Sequence, residues 1–143
     1  MQKVLVTGGG GFIGSHLVDA LVTKGVNVCI FDNLTAGTLQ NIKPWLKDPS
    51  FNFIKGDLLN PADITKIEKT SFETVFHLAA NPEVRVGLTN PDIHFQQNIV
   101  ATHNLLESLR KTKTNPPKRR HNLVASQNIG LTCTNHIGLN CSF

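Results

Sequence analysis

Four consecutive glycines, Gly8 to Gly11, followed by Phe12, Ile13 and Gly14, stand directly after the apolar run Val4-Leu5-Val6-Thr7. Glycine packed this densely at the mouth of a helix suits one kind of chemistry. Its backbone N–H groups approach an anion with no side chain in the way, and a helix N-terminus adds unpaired donors and a positive dipole end. A flexible linker would carry serine and polar neighbours without ordered elements on both sides. Here a strand-like run precedes and an amphipathic run follows, the context in which a glycine motif marks a phosphate cradle. Two spacings are satisfied at once, Gly8-x-x-Gly11-x-x-Gly14 and Gly9-x-Gly11-x-x-Gly14, and counting glycines does not choose between them.

A second chemical group stands 18 residues beyond Gly14: Asp32, at the end of the next apolar run. A carboxylate about 20 residues past a glycine loop is placed to accept from a ribose 2′-hydroxyl, with the pyrophosphate on the loop. No Arg or Lys lies from Asn33 to Gln40 to receive a 2′-phosphate, which favours NAD over NADP. A turn-starting Asp before Asn33 is the alternative reading of Asp32, but it leaves the glycines unexplained. Metal chemistry is not expected, because Cys133, His136 and Cys141 stand at spacings that fit no zinc template. Cys29, in an apolar run, reads as a small core residue.

The elements that must position these groups follow one alternation. Lys3 to Thr7 reads as a buried strand, and Phe12 to Lys24 as a helix with Ile13, Leu17, Leu21 and Val22 on one face, closed by Gly25. Asn27 to Phe31 is a second strand, with a short helix around Leu39 to Leu46 after it. Phe51 to Lys55 is a third strand. Pro61 to Lys69 is a helix with Asn60 as N-cap and Pro61 as first residue. Glu73 to Leu78 is a fourth strand. The longest helix, 92–111, carries an apolar stripe of Phe95, Ile99, Leu105, Leu106 and Leu109. Residues 122–126 are a candidate fifth strand. Short unalternating strands separated by helices predict an α/β fold, a Rossmann-type doubly wound parallel sheet of about five strands, covered on both faces.

With the elements in place the sequence resembles a known family. Thr7-Gly-Gly-Gly-Gly-Phe-Ile-Gly-Ser-His-Leu17 is similar to the N-terminal signature of the NAD-dependent epimerase/dehydratase family of extended short-chain dehydrogenases. The resemblance covers about residues 1–115, and Asp32-Asn33-Leu34 with Ala79 to Val86 looks most like its UDP-glucose 4-epimerase branch. It implies cofactor contacts at Gly8, Gly11, Phe12, Ile13 and Gly14, the spacing in use there being the first of the two. It further implies an adenosine-ribose loop from Asp32 and Asn33 to Gly37, and an adenine-contacting turn at Asp57 and Leu58. Leu78, Ala79 and Ala80 would form a strand end beside the nicotinamide riboses, and Asn98 would lie close to the cofactor. In such enzymes a tyrosinate, assisted by a Lys four residues on, takes a proton from a sugar hydroxyl while hydride passes to NAD.

The chain departs from that pattern. It contains no tyrosine, no Lys follows Lys118, and the segment expected to carry the catalytic Ser or Thr reads Asn122-Leu-Val-Ala-Ser-Gln-Asn-Ile-Gly130. Ser126 matches the first serine of that segment and is read as a strand-end hydroxyl, so no catalytic residue is assigned. The expectation is therefore a truncated Rossmann domain over residues 1–115 with a divergent tail over 116–143 and no substrate domain. It would bind NAD and catalyse nothing alone. A non-catalytic NAD-binding interaction module and one half of a split epimerase are the alternatives.

Composition agrees with a single domain. The 143 residues are 40% hydrophobic and 17% charged, without the roughly 18-residue apolar run of a membrane span. Met1 leads straight into a strand pattern, and the three scattered cysteines fit a cytoplasmic chain. Residues 1–107 hold all ten acids and eight Lys/Arg, whereas six Lys/Arg and no acid lie beyond them, all between Arg110 and Arg120. That stripe has no interleaved aromatic for base stacking. It reads as a cation-favoured helix end and a solvated loop, with nucleic acid not expected as a partner. A homodimer through helix 92–111 is expected from the resemblance.

Overall fold

The computed structural model describes residues 2–83, 85–112 and 122–125, the last four as backbone. Five parallel strands, β1 (Lys3–Thr7), β2 (Asn27–Asp32), β3 (Phe51–Lys55), β4 (Thr74–His77) and β5 (Asn122–Ala125), lie in the order β3-β2-β1-β4-β5. Leu5 of β1 pairs with Cys29 of β2 on one side and Val75 of β4 on the other. The chain first winds outward from β1 to β3. It then crosses back to set β4 on the far side of β1. This reversal separates the connections leaving β1 and β4, and a crevice opens at the C-terminal strand ends.

Successive residues of each strand point to opposite faces, and both faces are covered, which is why the strands carry unbroken apolar runs. Leu5, Phe31 and Val75 pack with Phe72, Ile67 of α3 (Pro61–Glu68) and Leu105 and Leu109 of α6 (Ala101–Lys111). Val4, Val6, Val28 and Ile30 pack on the other face against Val18 and Val22 of α1 (Phe12–Thr23) and Ile42 of α2 (Leu39–Ile42). A 3-10 turn, Lys43–Trp45, follows α2. Asn60 caps α3 as expected, its side chain accepting the Ala62 N–H, with Pro61 in the first turn.

Two amphipathic assignments need correction. In α1 the buried positions are Gly14, Ser15, Val18 and Val22, with Leu17 and Leu21 at the margin, while Ile13 is 67% exposed. The first turn of α1 borders the crevice, and Ile13 lines that open cavity instead of packing in the core. The long helix is not uniform either. It runs as α5 (Pro91–His94), a π-helical stretch over Phe95–Val100, and α6. The wider π turn rotates the stripe, leaving Leu105 and Leu109 buried and Phe95, Ile99 and Leu106 exposed. A four-residue helix, α4 (Val86–Thr89), precedes it where no element is expected from the sequence.

Arg110 is held by Glu107 at 2.8 Å, consistent with a helix-end cation. Residues 113–121 of the basic stripe lie outside the described residues, as do Ser126 and the Cys133, His136 and Cys141 group. Among the described residues no helix is long and apolar enough to cross a membrane.

Candidate functional site

The crevice at the ends of β1, β2 and β4 is a cavity of about 370 Å³, within the range of roughly 300–1,000 Å³ usual for ligand pockets. Gly8, Gly11 and Gly14 line it, whereas Gly9 and Gly10 do not. The lining thus follows the first of the two spacings. Gly8 adopts φ +72°, and a Cβ there would come within 2.7 Å of the Ala79 backbone nitrogen. At Gly14 a Cβ would strike the Gly8 carbonyl oxygen and approach the Gly9 Cα to 2.8 Å, so the helix and the loop leaving β1 meet backbone to backbone. Gly11 meets only the Gly8 carbonyl oxygen, at 3.3 Å, on the open side of the loop. No side chain caps α1 at Gly11. Helix geometry leaves its first N–H groups without intrahelical partners, and Phe12 and Ile13 line the cavity.

Asp32 closes β2 and is 7% exposed. Its Oδ2 accepts the Gly10 N–H at 2.8 Å and its Oδ1 the Leu34 N–H at 2.7 Å. The turn-starting role of Asp32 is thus seen in the structure, and a carboxylate with roughly four lone-pair positions retains capacity for hydroxyl donors besides. The carboxylate also holds Leu34 at φ 62°, a left-handed conformation uncommon for leucine. The Gly10 carbonyl is pinned from the start of α2 by Thr38 N–H at 3.0 Å and by Asn41 Nδ2 at 2.8 Å. Towards β3, Asn33 Nδ2 donates to Asp57 Oδ2 at 3.2 Å, and Asp57 Oδ1 accepts the Leu59 N–H at 2.8 Å.

On the β4 side a buried chain of hydrogen bonds organises the exit. His77 is fully buried, with Nδ1 2.6 Å from Thr7 Oγ1 and Nε2 2.9 Å from Thr102 Oγ1. Thr102 donates its hydroxyl proton to the Asn98 carbonyl at 2.5 Å, so it accepts from His77, which must carry its proton on Nε2. Nδ1 then accepts from Thr7, whose oxygen accepts the Ala79 N–H at 3.4 Å. Burial pushes the imidazole down to about 4, because desolvation disfavours its cation. Asn98 Oδ1 accepts the Asn81 N–H at 2.8 Å.

Of the residues anticipated from the sequence, Gly8, Gly11, Phe12, Ile13, Gly14, Asp32, Asn33, Asp57, Leu58, Leu78, Ala79 and Ala80 all line the cavity. Asn98 does not line it, and instead stands behind Asn81, which does. Thr35 and Gly37, from the loop that follows Asp32, line it too, as do Gln97 and Ala101, which the sequence did not single out. His77, Thr7 and Thr102 were missed as a group. The available signal was a histidine inside the apolar strand Thr74–His77, since a buried polar side chain needs partners.

The model of the GDP-mannose 4,6-dehydratase family matches residues 5–130, most of the chain. The chain belongs to this family. Its relatives include proteins named as nucleotide-sugar epimerases and dehydratases, bearing out the resemblance seen in the sequence. CDP-paratose 2-epimerase of Salmonella typhi is 37% identical over 117 residues, which cover 80% of this chain and 34% of that protein. A putative UDP-glucose 4-epimerase of Methanocaldococcus jannaschii is 41% identical over 108 residues, covering 76% and 34% respectively. Among solved structures, UDP-glucose 4-epimerase from Brucella ovis in complex with NAD superposes with a TM-score of 0.73 at 30% identity, over 89% of this chain and 36% of that one. The Thermus thermophilus UDP-glucose 4-epimerase complex with NAD gives 0.68 at 34% identity, over 78% and 34%. The chain thus spans about a third of the length of these family members.

Proposed function

We propose that these residues form the NAD-holding portion of a nucleotide-sugar epimerase or dehydratase of the UDP-glucose 4-epimerase kind. The observation that carries this reading is one continuous cleft with a side-chain-free glycine floor at an uncapped helix start and a carboxylate at the end of the neighbouring strand. The residues fit the group. Phe12 and Ile13 offer backbone donors for a pyrophosphate, and Gly8, Gly11 and Gly14 allow the loop to lie close enough, the Gly11 N–H itself being donated to the Gly8 carbonyl. Asp32 accepts from the adenosine ribose, and its negative charge, with no Arg or Lys from Asn33 to Gln40, disfavours a 2′-phosphate. Asn33, Asp57 and Leu58 border the adenosine half. Leu78, Ala79 and Ala80 border the other half, with Asn98 supporting their loop.

The chemistry that bound NAD supplies is reversible acceptance of a hydride. These 143 residues contain no tyrosine to serve as the tyrosinate that the family resemblance implies. On this reading they hold and orient the cofactor and do not convert a sugar by themselves. Relatives solved with NAD and named as epimerases support the cofactor and substrate class. Calorimetric titration of the purified chain with NAD and NADP tests the reading, alongside an epimerisation assay on UDP-glucose. Saturable binding with preference for NAD and no turnover is expected. Preference for NADP, absence of binding by a folded sample, or turnover would overturn it.

A further inference from the structure

The connection leaving β4 carries Leu78, Ala79, Ala80 and Asn81 along one wall of the cleft, with Leu78 and Ala79 packed against the hydrophobic core. Its backbone is held by hydrogen bonds from behind. The Leu78 N–H donates to the Thr7 carbonyl at 3.0 Å, the Ala79 N–H to Thr7 Oγ1 and the Asn81 N–H to Asn98 Oδ1. His77 joins these two anchors, bonding Thr7 through Nδ1 and Thr102 through Nε2, while Thr102 bonds the carbonyl of Asn98. One strut thus runs from the end of β1, through β4, to the helix. The π-helical stretch Phe95–Val100 ends just before α6 begins at Ala101, so Asn98 and Thr102 face β4 from either side of that junction.

The location decides what such a strut would do. Asp32 fixes the adenosine side at β2, and the glycine loop after β1 takes the pyrophosphate, so the remaining half of a dinucleotide must lie beyond β1, at the exit of β4. We propose that Thr7, His77 and Thr102 are positioning residues whose hydrogen-bonded strut sets the Leu78–Asn81 backbone against the non-adenylate half of the cofactor. This rests on the NAD reading above. None of the three touches the ligand in this proposal; they act through the amides of Ala79 and Asn81.

Thr102→Val removes the hydroxyl while keeping side-chain shape, and Thr102→Ser restores it. The full chain and both variants are titrated with NAD and with ADP, which contains only the adenylate half. Thr102→Val is expected to bind NAD about tenfold more weakly, the effect of one lost buried hydrogen bond, with ADP affinity within about twofold of the parent. Thr102→Ser is expected to recover NAD affinity. Equal weakening of NAD and ADP, or no weakening of NAD, overturns the proposal. Amide exchange in the cofactor-free proteins provides a separate readout. In Thr102→Val the Ala79 and Asn81 amides are expected to exchange at least about tenfold faster, while those of Leu5 and Ile30 keep their rates. If the parent binds no NAD, the functional reading fails, and unchanged exchange at Ala79 and Asn81 independently sinks the strut.

Discussion

Replacing Asp32 by alanine removes the acceptor of two backbone N–H groups at once, Gly10 at 2.8 Å and Leu34 at 2.7 Å. Hydrogen bonds to a charged partner contribute about 1.5–3 kcal/mol each when shielded from water. Gly10 is buried and cannot find a water in place of the carboxylate, so its bond counts near the middle of that range. Leu34 is only partly buried, and water replaces most of what its N–H loses. The total is roughly 2–4 kcal/mol, or a fall in Tm of about 6–12 °C at roughly 3 °C per kcal/mol for a domain of this size. Leu34 is also released from its left-handed conformation at φ 62°, which returns a small part of the cost. Asp32→Asn keeps one oxygen but points its amide donors at the other N–H, so it recovers only about 1 kcal/mol. Ligand binding is read separately, by titration at a temperature where every variant is folded. Loss of the ribose contact is expected to weaken NAD by roughly tenfold to a hundredfold while NADP, no longer repelled, weakens less. Thermal unfolding and calorimetry check the two effects. An unchanged Tm would refute the role given to the Gly10 and Leu34 bonds, and an unchanged ratio of NAD to NADP affinity would refute contact between the carboxylate and the ribose.

Two further predictions concern the glycine loop and the buried histidine. Gly14→Ala places a Cβ against the Gly8 carbonyl and the Gly9 Cα, backbone atoms that cannot turn aside, so a loss of more than about 3 kcal/mol is expected in denaturant unfolding. Gly11→Ala, whose Cβ meets a single carbonyl at 3.3 Å, should fold normally and lose cofactor affinity instead; equal stability losses at the two positions would contradict the assigned packing. His77 has a folded value of about 4, below its ordinary 6.5, so the unfolded chain takes up the proton first. Its contribution is fully present above about pH 6.5, declines as the pH falls towards 4 and is flat below, amounting to about 3 kcal/mol in all. The carboxylates held low by hydrogen bonds, Asp48, Asp63 and Glu107, titrate in a window beneath this one. Denaturant unfolding at a series of pH values should therefore show most of the loss between about pH 6.5 and 4.5, and a level profile there would mean that His77 is not held neutral in the folded chain.

Much of the fold was legible because its signals are local. The β-branched runs ending at Thr7 and Asp32, the cap at Asn60 and the glycine after α1 each specify an element from a few neighbouring residues, and each stands where the pattern placed it. The long helix was legible in extent and not in orientation. Which of Phe95, Ile99, Leu105, Leu106 and Leu109 face the sheet depends on a π-helical stretch, and nothing in the 3.6-residue periodicity marks a widened turn. Ile13 fits the apolar face of α1 by periodicity, yet it is exposed and lines the open cleft.

The sequence by itself determined the residue types on which the dinucleotide reading rests: a glycine loop after the first strand, a carboxylate after the second, and no cation between Asn33 and Gln40 to meet a 2′-phosphate. These are choices of residue type at short spacing, and chemistry of that kind survives in one dimension. Only the tertiary structure decided which glycines face the cleft, since Gly8, Gly11 and Gly14 are distinguished from Gly9 and Gly10 by what lies across from them, at Ala79, Ile30 and Asp32. Only it joined Thr7, His77 and Thr102, separated by 70 and 25 residues, into one strut. Hydrogen bonds between strands β1 and β4 and a helix depend on the order β2-β1-β4 in the sheet, and strand order is set by how whole faces bury one another, which no local spacing encodes.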